Sequence, residues 1–443
     1  MSSRGLKAVI AGVAGVLALS SLAACERAVA IDTLGTPPSP AASAPTNAAP
    51  AGPAAPSVSP PAQLTVAPAN GATAVALGSH VSVSVADGTL TAVSVADSGG
   101  DPVVGSLDAT SHSWDSTGAL VPGTQYVVTA TAVSAGGTST QATSTFTTAA
   151  AANVLGVKIA PLEGEVVGVG MPIVVYFSSA VTNEAAVERA LIVNSALPIV
   201  GSWHWYGNKE VHYRPTQYWP AGDVVTVQAN LKGVDAGKGV WGTENRTLNF
   251  SIGASQISTV NAVTDKMTVV VNGVVVRTMA ISTGRDKYPT TSGIHVILDK
   301  SPSVVMNSAT VGIPKGSPDY YYETVLWDVR ISWSGEYVHS APWSVSAQGR
   351  ANVSHGCVNA SPADAQWFYN LSRRGDVVVV TGTPRRLESG NGWTDWNMSW
   401  SQWISGSALT AAPGVATSSA PTSPVSYGST ATPLASPSAT ATP

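Results

Sequence analysis

Apolar and polar residues alternate with a period of two over most of the first half of the chain, in short runs. Val81-Ser82-Val83-Ser84-Val85, Val93-Ser94-Val95 and the stretch Tyr126 to Val133 each put one set of side chains on one face of a strand. Asn70-Gly71 and Pro122-Gly123 punctuate these runs as turns. The pattern predicts a β-sandwich over 63–148. Residues 153–252 repeat it: Pro68-Ala69-Asn70-Gly71 is echoed by Pro161-Leu162-Glu163-Gly164, and Val121-Pro122-Gly123-Thr124 by Trp219-Pro220-Ala221-Gly222-Asp223. Each element leads into a valine-rich strand at a similar offset, so two modules stand in tandem. The second is rich in aromatics (Trp203, Trp205, Tyr206, Tyr213, Tyr218, Trp219), which suit core and interface packing better than an exposed sugar-binding face.

A third unit, 253–384, is also mainly β. Met267 to Val271, Asn272-Gly273 and Val274 to Ile281 form a hairpin with a tight turn. Strands follow at Ile294 to Leu298, 325–333, 336–339 and Asp376 to Thr381. One main helix is expected from Ser361 to Arg373, with Ser361 as cap, Pro362 at the first position and Ala365, Phe368, Tyr369 and Leu371 as apolar faces. Trp393, Trp396, Trp400 and Trp403, at steps of three and four within 385–408, form a helical stripe expected to pack on this third unit.

Composition sharpens the picture. Only 11% of the 443 residues are charged and the net charge is −4, which excludes nucleic acid as a partner. Residues 1–25 have the form of an export signal: Arg4 and Lys7, then the apolar Ala8 to Leu19, then Leu22-Ala23-Ala24-Cys25. That tetrapeptide resembles a bacterial lipobox, which implies that Cys25 is lipidated and holds the exported protein on the outer face of the cytoplasmic membrane. Residues 26–62 are a Pro/Ala/Ser-rich tether; its uncharged part, from Thr36 to Ala62, can reach roughly 80 Å if extended. The tail 409–443 has a similar Ala/Ser/Thr/Pro composition and buries no core. The two sandwiches, with their regular turn spacing, resemble Ig-like modules.

The sequence contains 2 cysteines. With Cys25 assigned to the membrane, Cys357 is a lone thiol in Ser354-His355-Gly356-Cys357-Val358-Asn359, poor surroundings for a core cysteine. A free thiol is about 3% ionised at neutral pH, so a nucleophile there needs a base. His355 is two residues away on an extended segment and presents its ring poorly to the sulfur. His339 can approach from a neighbouring strand. A zinc held by His339, His355 and Cys357 is the competing reading, although the sequence offers no second cysteine, no His-Glu-x-x-His helix and no acidic fourth ligand.

His339, fourteen intervening residues and Ser-His-Gly-Cys-Val-Asn resemble the signature of the YkuD-type L,D-transpeptidases. The likeness extends over residues 153–405 and is strongest between 337 and 382. It implies a YkuD-type catalytic domain at 253–384, with Cys357 as nucleophile and His339 as base, oriented by the backbone carbonyl of Ser340. It also implies oxyanion-holding N–H groups around His355, Gly356 and Cys357, and roles for Ser354, His355 and Asn359 in shaping the loop and binding substrate. Residues 300–324 become a lid, with Met306 and Tyr321 on the cleft wall and Tyr320 and Tyr322 as rivals. The implied partners are peptidoglycan stem peptides and, as inhibitors, carbapenem-type β-lactams; no cofactor or metal is implied. The implied activity is 3→3 cross-linking through a thioester with release of D-alanine. The alternatives are an L,D-carboxypeptidase of the same fold and a non-enzymatic wall-binding lipoprotein.

Overall fold

The computed structural model describes residues 59–409. The export signal with Cys25, the tether up to residue 58 and the tail from residue 410 lie outside the described residues.

Two four-stranded sheets pack face to face in each sandwich. In the first, the sheets run 63–67, 82–86, 113–116, 105–107 and 72–75, 139–148, 125–134, 88–97. In the second they run 157–160, 173–177, 210–215, 201–205 and 166–167, 245–252, 224–230, 191–195, the same order in both sheets. The echoed turns fall at the same place. Gly71 (φ 80°) donates its N–H to Thr145 of the last strand, and Gly164 (φ 72°) donates to Asn249 of the equivalent strand. Alternation accounts for the core: Val83, Val85, Val128, Ala130 and Phe146 face inward in the first module. In the second, Trp203, Trp205, Tyr213 and Trp219 are buried, so these aromatics are core. Lys232 reaches from the second module to Asp97 (2.9 Å) and Asp101 of the first.

The third unit is a nine-stranded sheet. Its strands are β1 (Gln256–Asn261), β2 (Lys266–Val271), β3 (Val274–Ser282), β4 (Gly293–Val296), β5 (Asp299–Asn307), β6 (Tyr322–Arg330), β7 (Tyr337–Ser340), β8 (Val358–Ala360) and β9 (Val377–Thr381). They lie in the order β4-β9-β1-β2-β3-β8-β7-β6-β5. Asn272 and Gly273, both at positive φ, close the β2–β3 hairpin as expected. Only β1–β9 and β7–β8 are parallel, and the second of these pairs carries the site. The helix Pro362–Leu371 covers the sheet with Ala365 and Phe368. Ser361 Oγ accepts from the Asp364 N–H, a cap worth about 1 kcal/mol. The helix stops at Leu371, because Ser372 is already extended (ψ 147°). β5 and β6 project as a long hairpin closed by residues 308–321, so strand forms both flanks of the expected lid and the connection 308–321 forms its middle.

The second module and this sheet share one core, in which Val296, Leu298 and Val377 join the residues of the sandwich. Gly168 N–H donates to the Arg374 carbonyl, and Gly170 N–H to that of Gly375, both at 2.8 Å. A β-carbon on Gly168 would lie 2.1 Å from the Asp376 nitrogen, so only glycine allows this approach.

The tryptophan segment departs from expectation. It forms a 3₁₀ turn (Asp395–Asn397) and a separate short helix (Trp400–Ile404), and it closes chiefly on the second sandwich. Trp396, Trp400 and Trp403 surround the guanidinium of Arg214 at 4.8, 5.4 and 4.7 Å. Trp393 alone turns to the catalytic sheet, edge-on to Trp333. A buried guanidinium requires compensation, and three indole faces with the Met398 carbonyl (3.0 Å) supply it. An alternating apolar count along the sequence cannot register such a cation.

Candidate active site

β7 and β8 run parallel with His339 opposite Asn359, and Cys357 ends the loop that enters β8. Residues two apart on a strand share a face, so Cys357 and Asn359 point to the side occupied by His339. The three line one cleft of about 250 Å³, together with Met306, Tyr321 and Ser354. Ser340, expected as an orienting carbonyl, accepts from His339 Nδ1 at 3.0 Å. A carbonyl can only accept, so Nδ1 carries the proton and Nε2 keeps its lone pair.

His339 is buried, and that burial pushes its pKa down to about 4, against the opposing hydrogen bonds of Ser340 and Asn359. Burial likewise pushes the half-buried Cys357 thiol up to about 12. The Tyr337 N–H opposes that shift, and the charges of Glu336 and Asp328 add to it. Both groups therefore rest uncharged at neutral pH. The thiol points to the Gly335 carbonyl, 3.6 Å away, rather than to the imidazole.

The loop before β8 is fixed by its own polar groups. Ser354 Oγ donates to the Cys357 carbonyl (2.6 Å) and accepts from the Gly356 N–H (3.1 Å). Thr290 Oγ donates to the Gly356 carbonyl at 2.7 Å. Gly356 sits at φ 128°, a conformation that a side chain would strain. Its N–H donates to Ser354 Oγ in this loop. Asn359 Nδ2 donates to Ser344 Oγ (3.1 Å) and is held rigid.

His355 stands apart from the thiol–imidazole pair. Its Nε2 accepts from Arg285 Nη2 at 2.8 Å, and burial and then the Arg285 charge lower its pKa. A zinc on this nitrogen would have to displace a guanidinium. Its ring packs between Tyr288 (5.1 Å) and Tyr321 (4.8 Å). Ser308, fully buried at the base of the lid tip, accepts from the Tyr321 N–H and donates to the Ile313 carbonyl, which sets Tyr321 into the cleft. Tyr322 is exposed, and neither it nor Tyr320 lines the cleft. Met306, Tyr321 and His355 also wall a second cavity of about 710 Å³. Glu323 and Trp343 line the cleft and Arg285 backs it through His355, although sequence reasoning passed over all three. Trp343, four residues after His339 and ring to ring with it at 6.1 Å, was the one within reach of a local pattern.

Two sandwiches carrying a sheet with a lidded cleft, and a thiol and an imidazole at its base, define an enzyme with a built reaction site. Models of known families match in two places: a bacterial Ig domain over residues 72–235 and an L,D-transpeptidase catalytic domain over residues 255–380. L,D-transpeptidase 2 of Mycobacterium tuberculosis is 41% identical over 347 residues, which is 78% of this chain and 85% of that protein. L,D-transpeptidase 5 of the same organism is 34% identical over 360 residues, 79% of this chain and 78% of that protein. A solved L,D-transpeptidase from Mycobacterium smegmatis is 36% identical, with a TM-score of 0.44 over 52% of this chain and 99% of its own. The chain belongs to the L,D-transpeptidase family, enzymes that act on peptidoglycan.

Proposed function

We propose that this enzyme forms 3→3 cross-links between peptidoglycan stem peptides through a thioester on Cys357. The carrying observation is the unprotonated Nε2 of His339, left so because Nδ1 donates to the Ser340 carbonyl, in the cleft that holds the thiol. As the sulfur attacks the carbonyl of the third residue of a stem tetrapeptide, the S–H proton passes to Nε2. The oxyanion falls to the N–H groups of His355 and Cys357, since Ser354 already takes that of Gly356. The C–N bond then breaks, D-alanine leaves with the proton from the imidazolium, and the thioester remains. The side-chain amine of a second stem attacks it, gives up a proton through His339 and releases Cys357 as thiol. A neutral resting pair fits this general-base route, in which charge appears only during attack.

The larger cavity shares Met306, Tyr321 and His355 with the cysteine cleft and gives a peptide room beyond the reacting thiol. A strained β-lactam of the carbapenem class enters the same cleft and acylates the same sulfur. Cys25 anchors the exported protein to the outer face of the membrane, and Cys25→Ala protein recovered as firmly membrane-bound as wild type would refute this. Intact mass after exposure to a stem tetrapeptide tests the reaction. The expected adduct is the tetrapeptide less D-alanine, discharged faster by an added amine than by water. Absence of an adduct on wild-type protein, or one that persists on Cys357→Ala protein, contradicts the proposal.

A further inference from the structure

Near the lid tip one carboxylate, Asp319, meets two cations and a hydroxyl from another segment. Asp319, near the lid tip, accepts from Arg285 Nη2 (2.5 Å) on one oxygen. Its other oxygen accepts from Lys287 Nζ (2.5 Å) and from the Tyr288 hydroxyl (3.0 Å). Two cations and a hydroxyl thus converge from the loop 285–288 on a group that belongs to a different segment. Arg285 also donates to His355 Nε2, whose ring walls both cavities, and Lys287 and Tyr288 line the larger one. His355 lies two residues from Cys357, a span of at most about 7 Å along the backbone. In a stem tetrapeptide the free carboxylate of the terminal D-alanine is a similarly short reach from the carbonyl under attack.

We propose that Arg285, Lys287 and Tyr288 form a carboxylate seat, occupied by Asp319 in the closed lid and taken over by the terminal carboxylate of the donor stem. The lid then opens by exchange: one carboxylate leaves the seat as another enters, and the two cations never stand unpaired. A peptide without that carboxylate has to displace Asp319 with nothing to replace it. The three seat residues are positioning residues, acting on the substrate's terminus and not on the reacting bond. Their charged hydrogen bonds also bias the site against amidated ends. The inference rests on the stem-peptide reading above.

Binding to Cys357→Ala protein separates the two claims, because it needs no turnover. The probes are a stem tetrapeptide ending in free D-alanine and the same peptide ending in D-alaninamide, titrated by calorimetry. The acid is expected to bind at least tenfold more tightly than the amide. Adding Arg285→Gln and Lys287→Gln should abolish that preference, and Asp319→Asn should increase acid affinity several-fold more than amide affinity. A merely structural role for these residues would shift both peptides alike. Equal affinity of acid and amide, no binding of either, or a preference untouched by the double substitution overturns the seat. Failure of wild-type protein to form an acyl adduct would instead overturn the cross-linking reaction, whatever the binding ratio.

Discussion

Two buried histidines in this molecule have been driven to opposite charge states. His339, in the catalytic cleft, meets a carbonyl and an amide, and burial lowers its pKa to about 4. For His212, in the second sandwich, burial also acts to lower the pKa, but Asp395 on Nδ1 (3.1 Å) and Glu210 on Nε2 (2.7 Å) overcome it and raise the value to about 9. Desolvation is common to both; the presence of an acid decides the outcome. The neutral ring keeps a lone pair and can accept a proton. The cation has both nitrogens committed and can only hold things together, here the C-terminal segment against the sandwich. Tyr206 makes the same point, since its hydroxyl donates to Asp395 at 2.7 Å.

The comparison is broken most forcefully at the catalytic pair. His339→Ala removes the proposed base and should slow acylation by a probe β-lactam by ~10²–10⁴-fold with the fold intact by circular dichroism. Cys357→Ser should abolish adduct formation, because one neutral imidazole deprotonates a hydroxyl far less readily than a thiol. An adduct on the serine variant would place the nucleophile elsewhere.

At the structural histidine the readout is stability. Asp395→Asn leaves a buried imidazole without its main counter-charge and should cost on the order of 3 kcal/mol in urea denaturation at pH 7. The pH dependence runs in opposite directions at the two sites. The His212 contribution is fully present below about pH 6.5 and is lost as pH rises through about 9. His339 costs nothing above about pH 6.5 and destabilises the fold as pH falls towards about 4. Urea midpoints of wild type and His212→Gln compared from pH 6 to 10 isolate the first slope; parallel curves would remove His212 from the account.

The smallest effect is expected at a third histidine, His355, which lies outside that pair. His355 accepts from Arg285 and packs between two tyrosines, so it shapes the wall and takes no proton. His355→Ala should slow acylation about tenfold or less and leave the shape of the pH profile unchanged. A loss as large as that of His339→Ala would make it a second base.

Much of this could be read from the sequence, for local reasons. The β2–β3 hairpin follows from Asn272-Gly273, and the start of the helix from Ser361 and Pro362, because turn and cap chemistry is written within a few residues. That Cys357 and His339 line one cleft was foreseeable from the motif, because its residue types and spacing suit a thiol beside a base on a neighbouring strand. The lid strand β5 was not. Asp299–Asn307 carries Lys300, Ser301, Pro302 and Ser303 in place of an alternating run, and it is held by pairing with β6. The tryptophan segment also escaped, because its partner Arg214 lies some 180 residues earlier in the chain. Arg285 and Asp319 meet only through the fold, and the resting charge of each histidine depends on neighbours that pattern alone does not place.

The acylation rate of Cys357 against pH, followed by intact mass with a carbapenem-class probe in wild type and His339→Ala, tests the central claim most directly. The neutral pair predicts a wild-type rate that is flat from about pH 5.5 to 8.5 and falls only as His339 protonates near about 4. In His339→Ala the residual rate should depend on the scarce thiolate and climb about tenfold per pH unit over the same range. A wild-type rate that titrates near 6.5 or levels off near 8.5, with the same curve in His339→Ala, would contradict the account.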